Sequence, residues 1–211
     1  MSIEQLNLDL YYLLNVPEHA STLMMTFAQF IAHDLIYIFL IIFAFAWLFG
    51  KIETKTAIVK AALFTAVTLC ISEILSAILH TPRPFVIDVG QTLIQHDPTG
   101  SFPSNHMSIF SGIAFSYYFS LKCDLGRILI WVALLVAWSR VYVGVHFPID
   151  MFGAFFIALF INLAGLPIWW KYQHKIMHYI LNMHTFLMKP LIQRGMDSIK
   201  YLHKKRNILI F

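Results

Sequence analysis

The sequence is short of charge. Only 12% of its 211 residues are Asp, Glu, Lys or Arg, about half the share of an ordinary soluble domain. That shortage excludes a highly charged disordered chain and argues against a soluble globular one. Cysteine is scarce too. Cys70 lies inside an apolar run and Cys123 in a short polar stretch, which points to neither a disulfide framework nor a cysteine-based metal site. The first 20 residues hold no Lys or Arg, so the basic start of a cleavable signal peptide is missing. No internal repeat and no low-complexity stretch is present.

What is abundant is apolar: 59% of residues are hydrophobic and the mean hydropathy is +0.70. A spanning helix needs about 20 apolar residues to cross a hydrocarbon core of roughly 30 Å. Five segments qualify or nearly so: 24–50, 57–79, 106–121 (short for a span), 128–145 and 148–170. The chain therefore reads as all-α, a polytopic membrane bundle of about five to six transmembrane helices. Residues 1–23 form an outer or interfacial segment, 24–170 the transmembrane domain, and 171–211 a basic tail.

The net charge of +4 does not mark a nucleic-acid binder, because its position tells otherwise. Eight of the 15 Lys and Arg follow residue 170, beside the last apolar span, as expected of a cytoplasmic membrane surface. Lys51, Lys55 and Lys60 flank the turn between spans one and two, and Lys122 and Arg127 the turn between spans three and four. Five alternating spans put these regions and the tail on one side, which the positive-inside rule makes the cytoplasm. The opposite side receives the acidic N-terminus, the loop 80–105 with its single arginine, and the turn at His146. Residues 2–15 and 171–206 suit interfacial helices or plain anchors.

The outer side gathers an unusual polar set: His80-Thr81-Pro82-Arg83-Pro84, then Pro103-Ser104-Asn105-His106, then Ser139-Arg140 with His146 and Asp150. A cation within a span, as at Arg140, is costly and marks function by default. His146 and Asp150 are four residues apart and share one face if a helix begins near His146. The carboxylate then fixes the imidazole tautomer and leaves the other ring nitrogen free as a nucleophile. Ser104 and Asn105 suit the N-cap of an apolar helix whose free N–H groups attract an anion. His106 in its first turn is placed to protonate a leaving oxygen. Arg83 and Arg140 bind phosphate oxygens bidentately and stay charged. The set fits phosphoryl transfer, in which stabilising charge is the main task. Glu73, an intramembrane carboxylate, is expected to face the bundle interior and pair with an arginine or polar group near the site, or else to form a structural ion pair. His33 and Asp34, at the outer end of span one, either touch the site or sit at the interface.

These residues resemble the type 2 phosphatidic acid phosphatase superfamily, which also includes vanadium haloperoxidases. Its three motifs are K-x6-R-P, P-S-x-H and S-R-x5-H-x3-D. Ser139, Arg140, His146 and Asp150 match the third, and Pro103, Ser104 and His106 the second. Only Arg83 and Pro84 match the first, since the lysine position holds Ser76. The likeness runs from about residue 62 to 165. It implies that His146 forms a phosphohistidine supported by Asp150 and that His106 serves the leaving group. It also implies that Arg83, Ser104, Asn105 and Arg140 hold the phosphate, with no metal and no cofactor. His80 is a candidate substitute for the lysine. The outer loop looks like the bacitracin-resistance branch of undecaprenyl pyrophosphate phosphatases. That likeness implies a polyprenyl pyrophosphate lipid as partner, no nucleic acid, and a site on the exterior face of a bacterial cytoplasmic membrane. The alternatives are another lipid phosphate, such as phosphatidylglycerophosphate or phosphatidate, and a lipid-phosphate transporter or binder without turnover.

Overall fold

The computed structural model describes residues 2–120 and 122–208, with side chains through Phe186 and at Lys189. Every regular element among them is helical. The chain separates into two compact units, Met1–Ile168 and Trp169–Phe211; the site lies wholly in the first. The side chains of the basic cluster from Arg194 to Arg206 lie outside the described residues.

Helix α1 (Ile3–Leu14) starts at Ser2, whose hydroxyl accepts from the Gln5 N–H at 3.1 Å. Ser21 caps α2 (Thr22–Gln29) in the same way, as short hydroxyl residues do at helix starts. Span one then passes through one π turn, Phe30–Asp34, into α3 (Leu35–Phe49). No residue of α3 is buried, the mark of an apolar helix whose solvent is lipid. Helix α4 (Ile52–Leu79) ends at His80, which takes left-handed backbone (φ 46°). Beyond the outer loop come α5 (Asn105–Tyr118), α6 (Cys123–Tyr142) and α7 (Pro148–Ile208).

Among the described residues, four helical stretches are long and apolar enough to cross a membrane: Thr22–Phe49, Ile52–Ile87, Cys123–Tyr142 and Pro148–Phe186. The third expected span, α5, has 14 residues and so rises only roughly 21 Å. It packs between α4 and α6 and is buried along most of its length. On α4 the Lys60 ammonium donates to the Phe119 carbonyl (2.9 Å) and the Ser120 hydroxyl (3.0 Å), closing the C-terminal end of α5. Helix contacts use small polar side chains. Ser72 meets Ser108 at 2.8 Å, and Asn162 accepts from Ser116 at 2.8 Å. In lipid such groups hold helices together because the apolar faces gain little by leaving one apolar medium for another.

Span four stops three residues earlier than expected, at Tyr142. Gly144 sets that limit: its φ is +82°, and a Cβ there would lie 2.0 Å from the Gln91 carbonyl. The outer loop is therefore pressed onto this turn. Backbone bonds join Leu93 to Val143 (3.0 Å) and Val16 to Tyr142 (3.1 Å). Asn15 bridges Gln91 and Tyr142, and the Tyr11 hydroxyl donates to the Val89 carbonyl. The N-terminal segment thus clamps the loop that carries half of the site.

Candidate active site

The turn between α6 and α7 presents His146, and the start of α7 presents Asp150. Pro148 is the first helical residue, where a missing N–H costs nothing. Asp150, two residues on, accepts from the Phe147 N–H at 2.8 Å, as a carboxylate near a helix start commonly does. The same oxygen, Oδ2, accepts from the Ser101 hydroxyl at 2.5 Å and from His146 Nδ1 at 3.2 Å. On the other side of the ring, Arg83 Nη1 donates to His146 Nε2 at 3.0 Å. A carboxylate on Nδ1 and a guanidinium on Nε2 leave one neutral tautomer, with the proton on Nδ1 and the lone pair on Nε2. His146 is 2% exposed. Burial, then the charges of Arg140, Arg83 and His96, hold its pKa well below 6.5, so the ring rests neutral.

Arg83 sits in extended backbone (φ −80°, ψ 159°) ahead of Pro84, a conformation that the following proline imposes. Its Nε donates to the Thr99 carbonyl (3.0 Å), its Nη2 to Thr99 Oγ1 and the Gly100 carbonyl (both 3.2 Å), and its Nη1 to the Val145 carbonyl (3.0 Å) as well as to His146. A guanidinium has five N–H donors, and each is used. Arg140 differs. It is 1% exposed, and among the described residues its side chain makes one bond, from Nη1 to the Ala32 carbonyl at 3.1 Å, in the π turn of span one. Its Nε and Nη2 are buried without a partner among those residues, as is the hydroxyl of Ser104. Among the described residues no carboxylate forms a salt bridge with Arg140. Ser104 stands at the N-cap of α5, but its hydroxyl makes no capping bond. His106, half-buried in the first turn, lies in the electrostatic field of Arg140, His146 and His96.

The structure thus brings together Arg83, Arg140, His146 and Asp150, with Ser104 and His106 at the adjoining helix start. Three expected residues stand apart from their contacts. Asn105 is exposed and donates its amide to Glu73. Glu73 is exposed rather than turned to the bundle interior. It lies in the last turns of α4, where an N-cap neighbour across the helix gap supplies a partner without burial. The ring of His80 is exposed and bonded to the Ile78 carbonyl at 3.2 Å. His33 and Asp34 bind each other at 2.7 Å and are exposed, while their neighbour Ala32 supplies the carbonyl for Arg140.

Sequence reasoning missed Ser101, Thr99 and His96. Ser101 is fully buried and is the shortest contact of the Asp150 carboxylate. Only its position beside the Pro103-Ser104 motif could have drawn attention to it. His96 lies half-buried with its ring centre 6.3 Å from that of His146. A second histidine in the loop 80–105, beside His80, was the available signal.

A buried arginine with free donors, a neutral histidine with an oriented carboxylate, and a bundle of apolar helices define the class: this is a multi-pass membrane phosphatase. The pattern of the PAP2 superfamily matches residues 57–174, and the chain belongs to that family. It is 31% identical over 193 residues to YbjG of Escherichia coli, a protein provisionally named an undecaprenyl-diphosphatase, with 92% of this chain and 98% of that one covered. It is 28% identical over 157 residues to undecaprenyl-diphosphatase BcrC of Bacillus subtilis, covering 74% and 81%. Among solved structures, Aquifex aeolicus LpxE superposes with a TM-score of 0.61 at 27% identity, covering 79% of this chain and 99% of that one. A PAP2 type phosphatidylglycerolphosphate phosphatase from Bacillus subtilis gives 0.60 at 20% identity over 80% and 87%, a likeness of fold alone.

Proposed function

We propose that this protein hydrolyses undecaprenyl pyrophosphate to undecaprenyl phosphate through a phosphohistidine, at the exterior face of a bacterial cytoplasmic membrane. The observation that carries the chemistry is His146 held between Arg83 and Asp150, beside buried donors of Arg140 and Ser104 that have no protein partner. The substrate is supported by the names of the relatives, and the face by the basic residues that flank the opposite turns.

In the first step the terminal phosphate enters between Arg140 and Ser104. The Arg83 Nη1 N–H moves from His146 Nε2 to a phosphoryl oxygen, which frees the lone pair. Nε2 attacks the terminal phosphorus as the bond to the bridging oxygen breaks. The lipid monophosphate leaves with a proton from His106. Asp150 balances the charge of the phosphorylated ring through Nδ1–H. In the second step water attacks the phosphorus, His106 takes the water's proton, and the P–N bond breaks to release inorganic phosphate and restore His146. Residues 24–170 form the phosphatase domain in this reading, with 1–23 on the outer interface and 171–211 a tail on anionic cytoplasmic lipid.

The test is phosphate release from undecaprenyl pyrophosphate by the purified protein in detergent with EDTA, beside His146→Ala. Release by the wild type, absent from the variant and blocked by vanadate, is the expected result. Release by both proteins would refute the histidine mechanism. Release only from phosphatidate or phosphatidylglycerophosphate would refute the substrate.

A further inference from the structure

The steps above use two histidines, and the outer loop brings a third. His96 is half-buried and lines a cavity of about 710 Å³ with Phe85, Thr92, Ile94, Gln95 and Asp97. Its ring stands edge-on to that of His146, at 75° and 6.3 Å between centres. At that separation a phosphorus held in line with His146 Nε2 can carry an oxygen within about 2.8 Å, hydrogen-bond reach, of the His96 ring. Nδ1 lies 3.0 Å from the Asp97 carbonyl. A carbonyl only accepts, so Nδ1 carries the proton and Nε2 is the free position.

We propose that His96 is a phosphate-binding residue of this site, protonated at Nε2 as the phosphate arrives, and that it supplies the third cationic ligand beside Arg83 and Arg140. The proposal rests on reading the site as a lipid phosphatase, but not on which lipid is cleaved.

Two further observations support it. First, position 76 delivers no cation: Ser76 packs against the loop at Gly100, where an added Cβ would lie 2.4 Å from the Ser76 hydroxyl. The resemblance to the type 2 phosphatidic acid phosphatases implies a lysine at that position, where this chain has a neutral hydroxyl. Second, the groups facing His96 keep it neutral at rest and let an anion reverse that state. They are Arg83 from the segment after α4, Arg140 from α6, His106 from α5, His146 from the turn before α7, and Asp97 from its own loop. Burial first, then Arg83 and Arg140, lower its pKa, against the Asp97 carbonyl and carboxylate, which raise it. A phosphate dianion placed among these cations adds a nearby opposite charge and favours the imidazolium. One proton is then drawn from solvent per phosphate bound, and Nε2–H donates to a phosphoryl oxygen.

The test is isothermal titration of the purified full-length protein in detergent with inorganic phosphate. It is run near neutral pH in two buffers of different ionisation enthalpy, so that proton uptake is read with affinity. The proteins are wild type, His96→Gln and His96→Lys. Wild type is expected to take up more protons per phosphate than His96→Gln and to bind about tenfold more tightly, the effect of one charge-assisted hydrogen bond. His96→Lys is expected to bind about as tightly as wild type without the extra uptake. Equal affinity and equal uptake in wild type and His96→Gln would overturn the proposal. None of these titrations involves the lipid, so a failure of the undecaprenyl pyrophosphate reading shows itself separately, in the substrate panel.

Discussion

Replacing Asp150 with Asn separates charge from hydrogen bonding at the nucleophile. Ser101 Oγ, the Phe147 N–H and His146 Nδ1 all converge on one oxygen, Oδ2, at 2.5, 2.8 and 3.2 Å. In Asp150→Asn the carboxamide oxygen takes that place, because its NH2 there would face two other donors. The tautomer of His146 is therefore kept while the negative charge is lost. In the proposed mechanism that charge matters most when Nε2 carries the phosphoryl group and the ring becomes cationic. At 3.2 Å the attraction is about 5 kcal/mol at an effective dielectric constant of about 20. At about 1.4 kcal/mol per decade, the rate of phosphoryl transfer should fall by about three to four orders of magnitude. The assay is steady-state phosphate release in detergent, with inorganic phosphate binding and thermal unfolding as controls. Both controls should stay near wild type, because the hydrogen bonds survive. A loss of activity below about tenfold would refute the charge-balancing role. Equal losses of activity and inorganic phosphate affinity would show that the substitution damages phosphate binding instead.

Three other perturbations are independent of that one. Ser101→Ala removes one of three donors to a buried carboxylate, a bond worth about 1.5–3 kcal/mol; kcat should fall about ten- to a hundredfold, and an unchanged kcat refutes the role. Arg83→Lys cannot reproduce five donors in fixed directions. It should lower activity and the thermal midpoint together, since Thr99, Gly100 and Val145 lose their partner; loss of activity with an unchanged midpoint refutes the framing role. His146 is held well below 6.5 by burial and by Arg140, Arg83 and His96. The unfolded chain therefore binds more protons at acid pH, and stability is full above about 6.5 and falls as pH drops toward the folded value. The thermal midpoint should fall more steeply below that pH in wild type than in His146→Gln; parallel curves refute it.

How much of this was legible in the sequence depended on periodicity. Long apolar runs with basic flanks gave the helical bundle, because lipid leaves few backbone solutions. His146 and Asp150 were readable as a pair because helix geometry relates positions four apart, even though His146 itself precedes the helix and α7 begins at Pro148. Arg140 was visible because a cation in a span is costly. The loop 80–104 has no such period. Thr99, Ser101 and His96 reach the site through backbone turns that only the folded chain defines. The Ala32 carbonyl was invisible for another reason: it is a backbone group exposed by a π turn, and such turns leave no composition signal. For Glu73 the polar partner near the site was expected and is Asn105, but burial was inferred from sequence depth alone, whereas its place near the end of α4 leaves the side chain exposed.

The two arginines share one motif set but do opposite work. Arg83 spends every donor on the protein, chiefly on carbonyls of the outer loop and of the turn before His146. Its charge is delivered to the site while its geometry holds the loop to the nucleophile. Arg140 is anchored at one nitrogen and keeps two buried N–H-bearing nitrogens without a partner. A cation 1% exposed, with no salt bridge among the described residues, carries a desolvation cost that the protein alone does not offset. That cost is offset if the missing partner is an anion that arrives and leaves. The buried hydroxyl of Ser104, also unpaired, argues for the same partner, since a hydroxyl donor and a guanidinium fork both suit a phosphoryl oxygen. In the proposed mechanism the folding energy stored in this unsatisfied buried cation is returned when phosphate binds, and that return is the largest for the pentacoordinate phosphorus, where charge on the equatorial oxygens is greatest.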